Sequence, residues 1–260
     1  MKITWLGTAS VRIEAAGERI LFDPFVQLIG GENPNCGEDF WEDEDIFITH
    51  GHLDHLMEIP AFLEEDSVSQ ATVYCGSVAA GTLSGMAEDT SNVVEVRPGI
   101  RIRIGEVTVR VWEGKHAAPG LRQTLRALCS WTRLRYWKNT LALLWLHPHF
   151  PEKKQTYLYE VQAEGKRVLV MGSMGLQEGI CYPKGADLLI LPYQGSAHLE
   201  EDALRIIERL APKRVLLDHF DDAFPPVSQS VDTRGLKREL RKRRLQVLVA
   251  KPKAGRPILL

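Results

Sequence analysis

Three histidines and an aspartate fall within six positions of one another in the stretch FITHGHLDH, Phe47 to His55. They follow DIFIT, a β-branched and aromatic run that reads as a buried strand. They precede LDHLMEIPAFLEE, which reads as a helix or a helix pair broken at Pro60. A fold that accepts this pattern has to open a strand end onto a site, and the carboxyl ends of strands are where α/β folds hold their ligands. His50 and His52, two apart in extended chain, can point to the same side. Asp54 and His55 are adjacent and point differently, so they suit a second ion close by. Gly51 lets the loop bend without a side chain in the way. Imidazole with carboxylate is the ligand set of zinc, and also of iron or manganese. With eight histidines in 260 residues, chance would place this pattern at a given position about once in a million.

The rest of the chain alternates strand and helix signals, which sets the class as α/β. Strands are expected at Lys2–Leu6, Ser10–Ala15 and Arg19–Asp23, then at ATVYCG, followed by a small-residue helix from Ser77. VVEVRPGIRIRIGEVTVRVWEGK reads as successive strands turning at Pro98-Gly99 and Gly105. The second half repeats the grammar. QTYLYEVQAEGKRVLVMG is a hairpin turning at Glu164-Gly165, ADLLILP a buried strand, HLEEDALRIIERL an amphipathic helix and KRVLLDH a strand. SVDTRGLKRELRKRR reads as a helix, and QVLVA and GRPILL close the chain. No Pro/Ser-rich linker interrupts it, so one domain over residues 1–260 is expected.

Residues 117–151 break the rhythm. This segment is rich in Arg, Trp and Leu and reads as a partly helical insertion over the site. A core helix or a dimer contact explains it equally well, so self-association stays open. His147 and His149 flank Pro148 and lack partners, which argues against a metal pair there.

Charge and cysteine usage narrow the class further. A net charge of −2 makes no general case for a nucleic-acid partner. Residues 31–67 contain no Lys or Arg, whereas RGLKRELRKRR (234–244) is strongly basic; such runs are usually solvated faces. Cys36, Cys75, Cys129 and Cys181 form no CxxC pair and read as reduced thiols suited to the cytoplasm. The start MKITWLGTAS has no signal-peptide pattern, and the apolar run LALLWL is far short of the roughly 20 residues that span a bilayer. A cytoplasmic protein without stable membrane insertion is expected.

The motif THGHLDH resembles the signature of the metallo-β-lactamase superfamily of metal-dependent hydrolases, and the resemblance extends over nearly the whole chain. The opening ITWLGTASVRIEAAGERILFDPF is similar to that family's first hairpin, whose last strand carries Asp23. VWEGKHAAPG and KRVLLDHFDDAF supply two further histidines, His116 and His219. Within the superfamily, GADLLILPYQGSAHLEEDALRIIERLAPKRVLLDHFDD is most similar to the compact lactonase-like branch typified by L-ascorbate-6-phosphate lactonase. The resemblance implies a four-layer αβ/βα sandwich. It implies that His50, His52 and His116 hold a first metal and Asp54, His55 and His219 a second, with zinc the expected ion and manganese or iron alternatives. Asp23 would orient a ligand without touching metal.

One position departs from the family. The hairpin strand that would end in Gly-Asp, with the aspartate bridging two ions, here ends in Gly172-Ser173. A hydroxyl supplies neither the charge nor the bridge. Asp221 and Asp222 are the nearest carboxylates in sequence that could replace it; an anionic substrate is the other way to balance the ions.

The chemistry implied is hydrolysis of an ester, lactone or phosphodiester by a metal-activated water. Asp54 would orient the nucleophile, and Ser173, Tyr193 and His198 would line the pocket. A small anionic metabolite suits the compact chain and the missing charge best. A nuclease would draw on the basic segments. A phospholipid phosphodiesterase would draw on TLALLWL with Trp131, Trp137 and Trp145. A metal-retaining sensor or scaffold without catalysis is the alternative of another class, supported mainly by Ser173.

Overall fold

The computed structural model describes residues 1–40, 44–64, 71–117 and 135–260. Fourteen strands among them form two seven-stranded sheets. The first runs in the order β14-β1-β2-β3-β4-β5-β6, built from β1 (Lys2–Gly7), β2 (Ser10–Ala15), β3 (Glu18–Phe22), β4 (Asp45–Phe47), β5 (Val73–Cys75), β6 (Val93–Glu95) and β14 (Ile258–Leu259). The second runs β13-β12-β11-β10-β9-β8-β7. Its strands are β7 (Arg101–Ile104), β8 (Val107–Glu113), β9 (Tyr157–Ala163), β10 (Lys166–Met171), β11 (Leu188–Pro192), β12 (Arg214–Asp218) and β13 (Leu248–Ala250).

Each sheet is half antiparallel and half parallel. β1, β2 and β3 form a meander, after which β3 to β6 pair in parallel. Likewise β7 to β10 are antiparallel and β10 to β13 parallel. The two tight hairpins have local causes. Ala16-Gly17 (φ 52 and 85) and Glu164-Gly165 (φ 52 and 68) place both turn residues at positive φ, as a type I′ connection requires. The parallel halves need crossovers, and helices supply those from β4 to β5, β5 to β6, β11 to β12 and β12 to β13.

Alternation along the strands assigns the layers. Ile20, Phe22 and Phe47 point into the core shared with the second sheet, where Phe22 and Phe47 pack against Tyr159. Leu21, Ile46, Ile48, Val73 and Cys75 point the other way. They are covered by α1 (Leu53–Leu56), α2 (Ile59–Glu64) and α3 (Ser77–Leu83) through Leu53, Leu56, Ile59, Phe62, Ala79, Ala80 and Leu83. The second sheet is joined by α5 (Leu199–Leu210) and α6 (Arg234–Lys242) through Leu204, Ile207, Leu210, Leu236 and Leu240. In α5 the first turn holds Glu200, Glu201 and Asp202 and the last holds Arg209, the order the helix dipole favours. The result is helix, sheet, sheet, helix: the four-layer αβ/βα sandwich expected from the sequence.

The basic segment forms α6 but only Arg234 to Lys242 are helical. In the segment after His116, α4 (Trp137–Leu146) is followed by a short 3-10 turn at His147–His149. Trp131 and Cys129 lie outside the described residues, as do residues 41–43 of the acidic stretch. No helix among the described residues is long and apolar enough to cross a membrane.

Candidate metal centre

The site is assembled from strand ends. Asp23 follows β3, the histidine loop follows β4, His116 lies past β8, Ser173 past β10, Gln194 past β11 and His219 immediately after β12. Hydrogen bonds tie the two sheets together at this end. The Tyr157 N–H donates to Thr49 O (2.9 Å), the Tyr159 hydroxyl to Ile48 O (2.8 Å) and the His219 N–H to Thr8 O (2.7 Å). His219 sits at φ 54, a conformation uncommon for a residue with a side chain. That bond to Thr8 and the network around Asp221 beside it hold the turn in place.

Two trios form. His50, His52 and His116 offer ring nitrogens within 4.8 Å of one another, and a carboxylate oxygen of Asp54 with ring nitrogens of His55 and His219 does the same. The trios adjoin: the His50 and His55 ring centroids are 3.9 Å apart. The structure thus brings together all six side chains that the resemblance implies as ligands.

Most of the imidazoles are aimed from behind. Asp23 Oδ2 lies 2.8 Å from His55 Nδ1 and also accepts the Thr49 hydroxyl at 2.6 Å, while Asp23 Oδ1 accepts the Thr49 N–H at 2.8 Å. With its proton given to Asp23, Thr49 Oγ1 is left to accept from His50 Nδ1, 3.1 Å away. His116 Nδ1 faces Ala117 O at 2.7 Å, and His219 Nδ1 faces Gln194 Oε1 at 3.2 Å. For His50, His55 and His116 the acceptor at Nδ1 fixes the proton there and leaves Nε2 facing inward with its lone pair, the arrangement a metal ligand needs, whereas His219 also holds a proton on Nε2 against Asp54. One chain, His50–Thr49–Asp23–His55, therefore links a member of each trio.

The electrostatics separate the trios. Burial, reinforced by the neighbouring imidazoles, pushes His50 well below its ordinary value. Burial likewise brings His52 down to about 4 and lowers His116. These three are neutral at physiological pH, as metal binding demands. In the second trio burial opposes ionisation of Asp54, but the imidazoles of His55, His219 and His52 outweigh it and hold the carboxylate well below its usual range. Burial also disfavours a charged His219, yet its 2.8 Å contact with Asp54 Oδ2 carries it up to about 9. The donor set, its convergence and the neutral first trio fit divalent metal ions.

No carboxylate stands at the bridging position. Ser173 is buried, and its Oγ accepts the Ala117 N–H at 3.0 Å. The two carboxylates nearest in sequence to His219 are engaged elsewhere. Asp221 Oδ2 accepts from Gln27 Nε2 (2.6 Å), Asn33 Nδ2 (2.9 Å) and the Thr8 N–H (3.2 Å), and Asp222 Oδ1 accepts from the Ser228 hydroxyl (2.5 Å). Glu152, whose charge reaches His52 and His116, is held by the Lys154 N–H and the Thr156 hydroxyl. Each trio is thus left with at most one carboxylate.

Of the residues expected to line the pocket, Tyr193 lies in the core and His198 on the surface. Tyr193 is fully buried in the main core and presents no surface to a substrate; the reason is that the strand end turns its ring inward beneath α6. His198 is exposed at the start of α5, where its N–H donates to Ser196 Oγ. Thr49, Gln194 and Glu152 are the residues that sequence reasoning missed. Thr49 stood inside the motif, but only the fold reveals that Asp23 lies behind it.

The sequence matches the family described as the Beta-lactamase superfamily domain over residues 18–220. The chain belongs to the metallo-β-lactamase superfamily. It is 26% identical over 255 residues to a UPF0173 protein of Pyrococcus abyssi, covering 96% of this chain and 95% of that one. It is 25% identical over 238 residues to a UPF0173 metal-dependent hydrolase of Carboxydothermus hydrogenoformans, covering 89% of each. Among solved structures, Igni18, a metallo hydrolase of the archaeon Ignicoccus hospitalis, superposes with a TM-score of 0.67 at 18% identity over 99% of this chain and 97% of that one. The family match, with relatives described as metal-dependent hydrolases, assigns the chain to the metal-dependent hydrolases of that superfamily.

Proposed function

We propose that the protein hydrolyses an ester, lactone or phosphodiester bond of a small anionic substrate at the paired trios. The observation that carries this reading is six ligands converging with a single carboxylate, Asp54, among them. Two divalent ions there would leave an excess of positive charge that an anionic substrate offsets. Zinc is the expected ion, one or two per chain. A bound metal lowers the pKa of water to about 7 and polarises the oxygen under attack.

The chain's own residues do the remainder. Asp54, held ionised between the two trios, accepts a proton from the attacking water and orients it. Asp23 and Thr49 keep His55 and His50 aimed while charge builds in the site. Because Ser173 accepts from Ala117 with its oxygen, its own O–H remains able to donate to a substrate oxygen. Replacing the bridge with a donor thus trades metal neutralisation for substrate contact.

The test is metal content per chain by elemental mass spectrometry, beside a hydrolysis screen of lactones, esters and phosphodiesters in anionic and neutral pairs. Metal with hydrolysis favouring the anionic member, lost in Asp54→Asn, supports the reading. Metal without hydrolysis of any member would leave a sensor or scaffold. Absence of metal would remove the basis for both.

A further inference from the structure

Helix α4 is apolar on both faces, and among the described residues only one of them is covered. Leu143 and Leu146 pack against the buried cluster beneath α1 to α3. The opposite side carries Trp137 (55% exposed), Leu141 (58%), Leu144 (66%) and Trp145 (70%), spaced at i, i+4, i+7 and i+8 and therefore on one stripe. Asn139, the buried residue of this helix, fixes it in place. Its Nδ2 donates to Ile29 O at 2.9 Å and Pro225 O at 2.8 Å, in the loops that follow β3 and β12. Ile29 and Val227 in those same loops are exposed as well. The bare stripe is thus held rigidly at the end of the sandwich that carries the site.

The helix's own segment is cationic, while Glu152 follows it and Glu32 and Asp222 stand in the loops that hold Asn139. From Gly114 to Pro151 the chain has six Lys or Arg and no Asp or Glu. Of these, Arg135 and Lys138 are exposed at the amino end of α4; Lys153 and Lys154, beyond Glu152, add two exposed cations past its carboxyl end. An interfacial helix has this chemistry: Trp and Leu to enter the headgroup boundary, cations to meet anionic lipid, and too little length to span. A second copy of the chain is the poorer occupant. A twofold contact would set the same cationic segment against itself.

We propose that α4 docks the protein on the surface of an anionic lipid bilayer, with Trp137, Leu141, Leu144 and Trp145 entering the interface and the flanking cations pairing with lipid headgroups. This is independent of the substrate assignment above, since it concerns a surface and not the metal ligands. Each cation near an anionic leaflet contributes about 1 kcal/mol, so the contact weakens as salt rises.

The experiment is flotation of the full chain with phosphatidylcholine vesicles, with and without phosphatidylserine, at low and high salt. Binding is expected only with phosphatidylserine, reduced by salt, with a blue shift of tryptophan fluorescence. Trp137→Ser with Trp145→Ser, both exposed positions, should lower the bound fraction about tenfold or more with circular dichroism and metal content unchanged. Arg135→Glu with Lys138→Glu should do the same. Lys237→Glu with Arg241→Glu on the basic helix α6 should leave binding in place. No binding to phosphatidylserine vesicles at low salt would overturn the proposal, as would binding that follows the α6 variant alone. A parent dimer that the two tryptophan substitutions turn into a monomer would also overturn it, and would make the second copy the occupant.

Discussion

Ser173 Oγ accepts the main-chain N–H of Ala117 at 3.0 Å, so the residue standing where the superfamily resemblance expects a bridging aspartate instead holds the loop that carries His116. It acts as a brace for one candidate ligand and contributes no charge. Ser173→Asp restores a carboxylate at the end of β10. The expected outcome is tighter retention of a second ion, seen as a rise in metal per chain after dialysis, and weaker discrimination in favour of anionic substrates. Ser173→Ala leaves the buried Ala117 N–H without its acceptor, at a cost of about 1–3 kcal/mol. Its effect is expected at His116, in the occupancy of the first trio, measured by metal titration.

Thr49 and Asp23 couple the two half-sites. Asp23→Asn keeps the shape but replaces an acceptor-only oxygen with an amide. Either the Thr49 N–H then loses its acceptor, or His55 Nδ1 and the Thr49 hydroxyl, which share Oδ2, lose theirs together. Outer partners of this kind change metal affinity by about 10–100-fold when removed, and that range is expected for the second trio. Thr49→Val removes the hydroxyl that both His50 and Asp23 use, so affinity should fall in both trios. Competitive chelator titration separates the two cases, and a Thr49→Val chain that loses only one ion's affinity would contradict the coupling.

How far the sequence revealed all this differs from residue to residue. The six converging side chains and the sandwich were readable because strand ends and motif spacing are local, and the superfamily resemblance supplied which distant histidines join the loop. The type I′ hairpin at Glu164-Gly165 was readable for the same reason, since its chemistry lies in two adjacent residues. Tyr193 was not. Whether a residue one past a strand end points inward or outward depends on how the chain leaves the sheet. Nor could sequence show that Gln27, Asn33 and Thr8 occupy Asp221, because those contacts join residues 188 to 213 positions apart. Thr49 illustrates the middle case: its position was visible and its partner was not.

Gly51 is required by a contact and not by its dihedral angles. A Cβ built there would sit 2.5 Å from the Pro151 carbonyl oxygen, a main-chain atom that cannot rotate aside. Gly172 is similarly closed, with Thr49 Cβ 2.5 Å from the position a Cβ would take. Gly51→Ala is therefore expected to push the histidine loop and the segment after α4 apart, lowering metal occupancy of the first trio more than it lowers the melting temperature of the metal-free chain. Gly172→Ala should displace Thr49 and reproduce the Thr49→Val loss in both trios. Metal-free melting curves beside metal titrations make the comparison. A chain that loses thermal stability and keeps its metal affinity would place the strain away from the site.

The opposite pKa directions of the trios predict that they bind metal with different proton counts. His50, His52 and His116 lie below their ordinary value, His52 at about 4, so near neutral pH they are deprotonated and release nothing when an ion arrives. His219, at about 9, keeps its proton against Asp54 until an ion displaces it. Filling the second trio should release about one proton near pH 7, and its affinity should climb about tenfold per pH unit until about pH 9, then level off. Metal-free stability has its own sign. The lowered histidines bind fewer protons folded than unfolded, so their contribution falls as pH drops from about 6.5 towards 4; the raised His219 contributes fully below about 6.5 and loses that contribution as pH rises through 9. Metal-free melting temperature should therefore peak near the middle of that range. Isothermal titration in buffers of different ionisation enthalpy counts the protons at each step. Equal release at both steps would mean that Asp54 does not hold the His219 proton in the free protein.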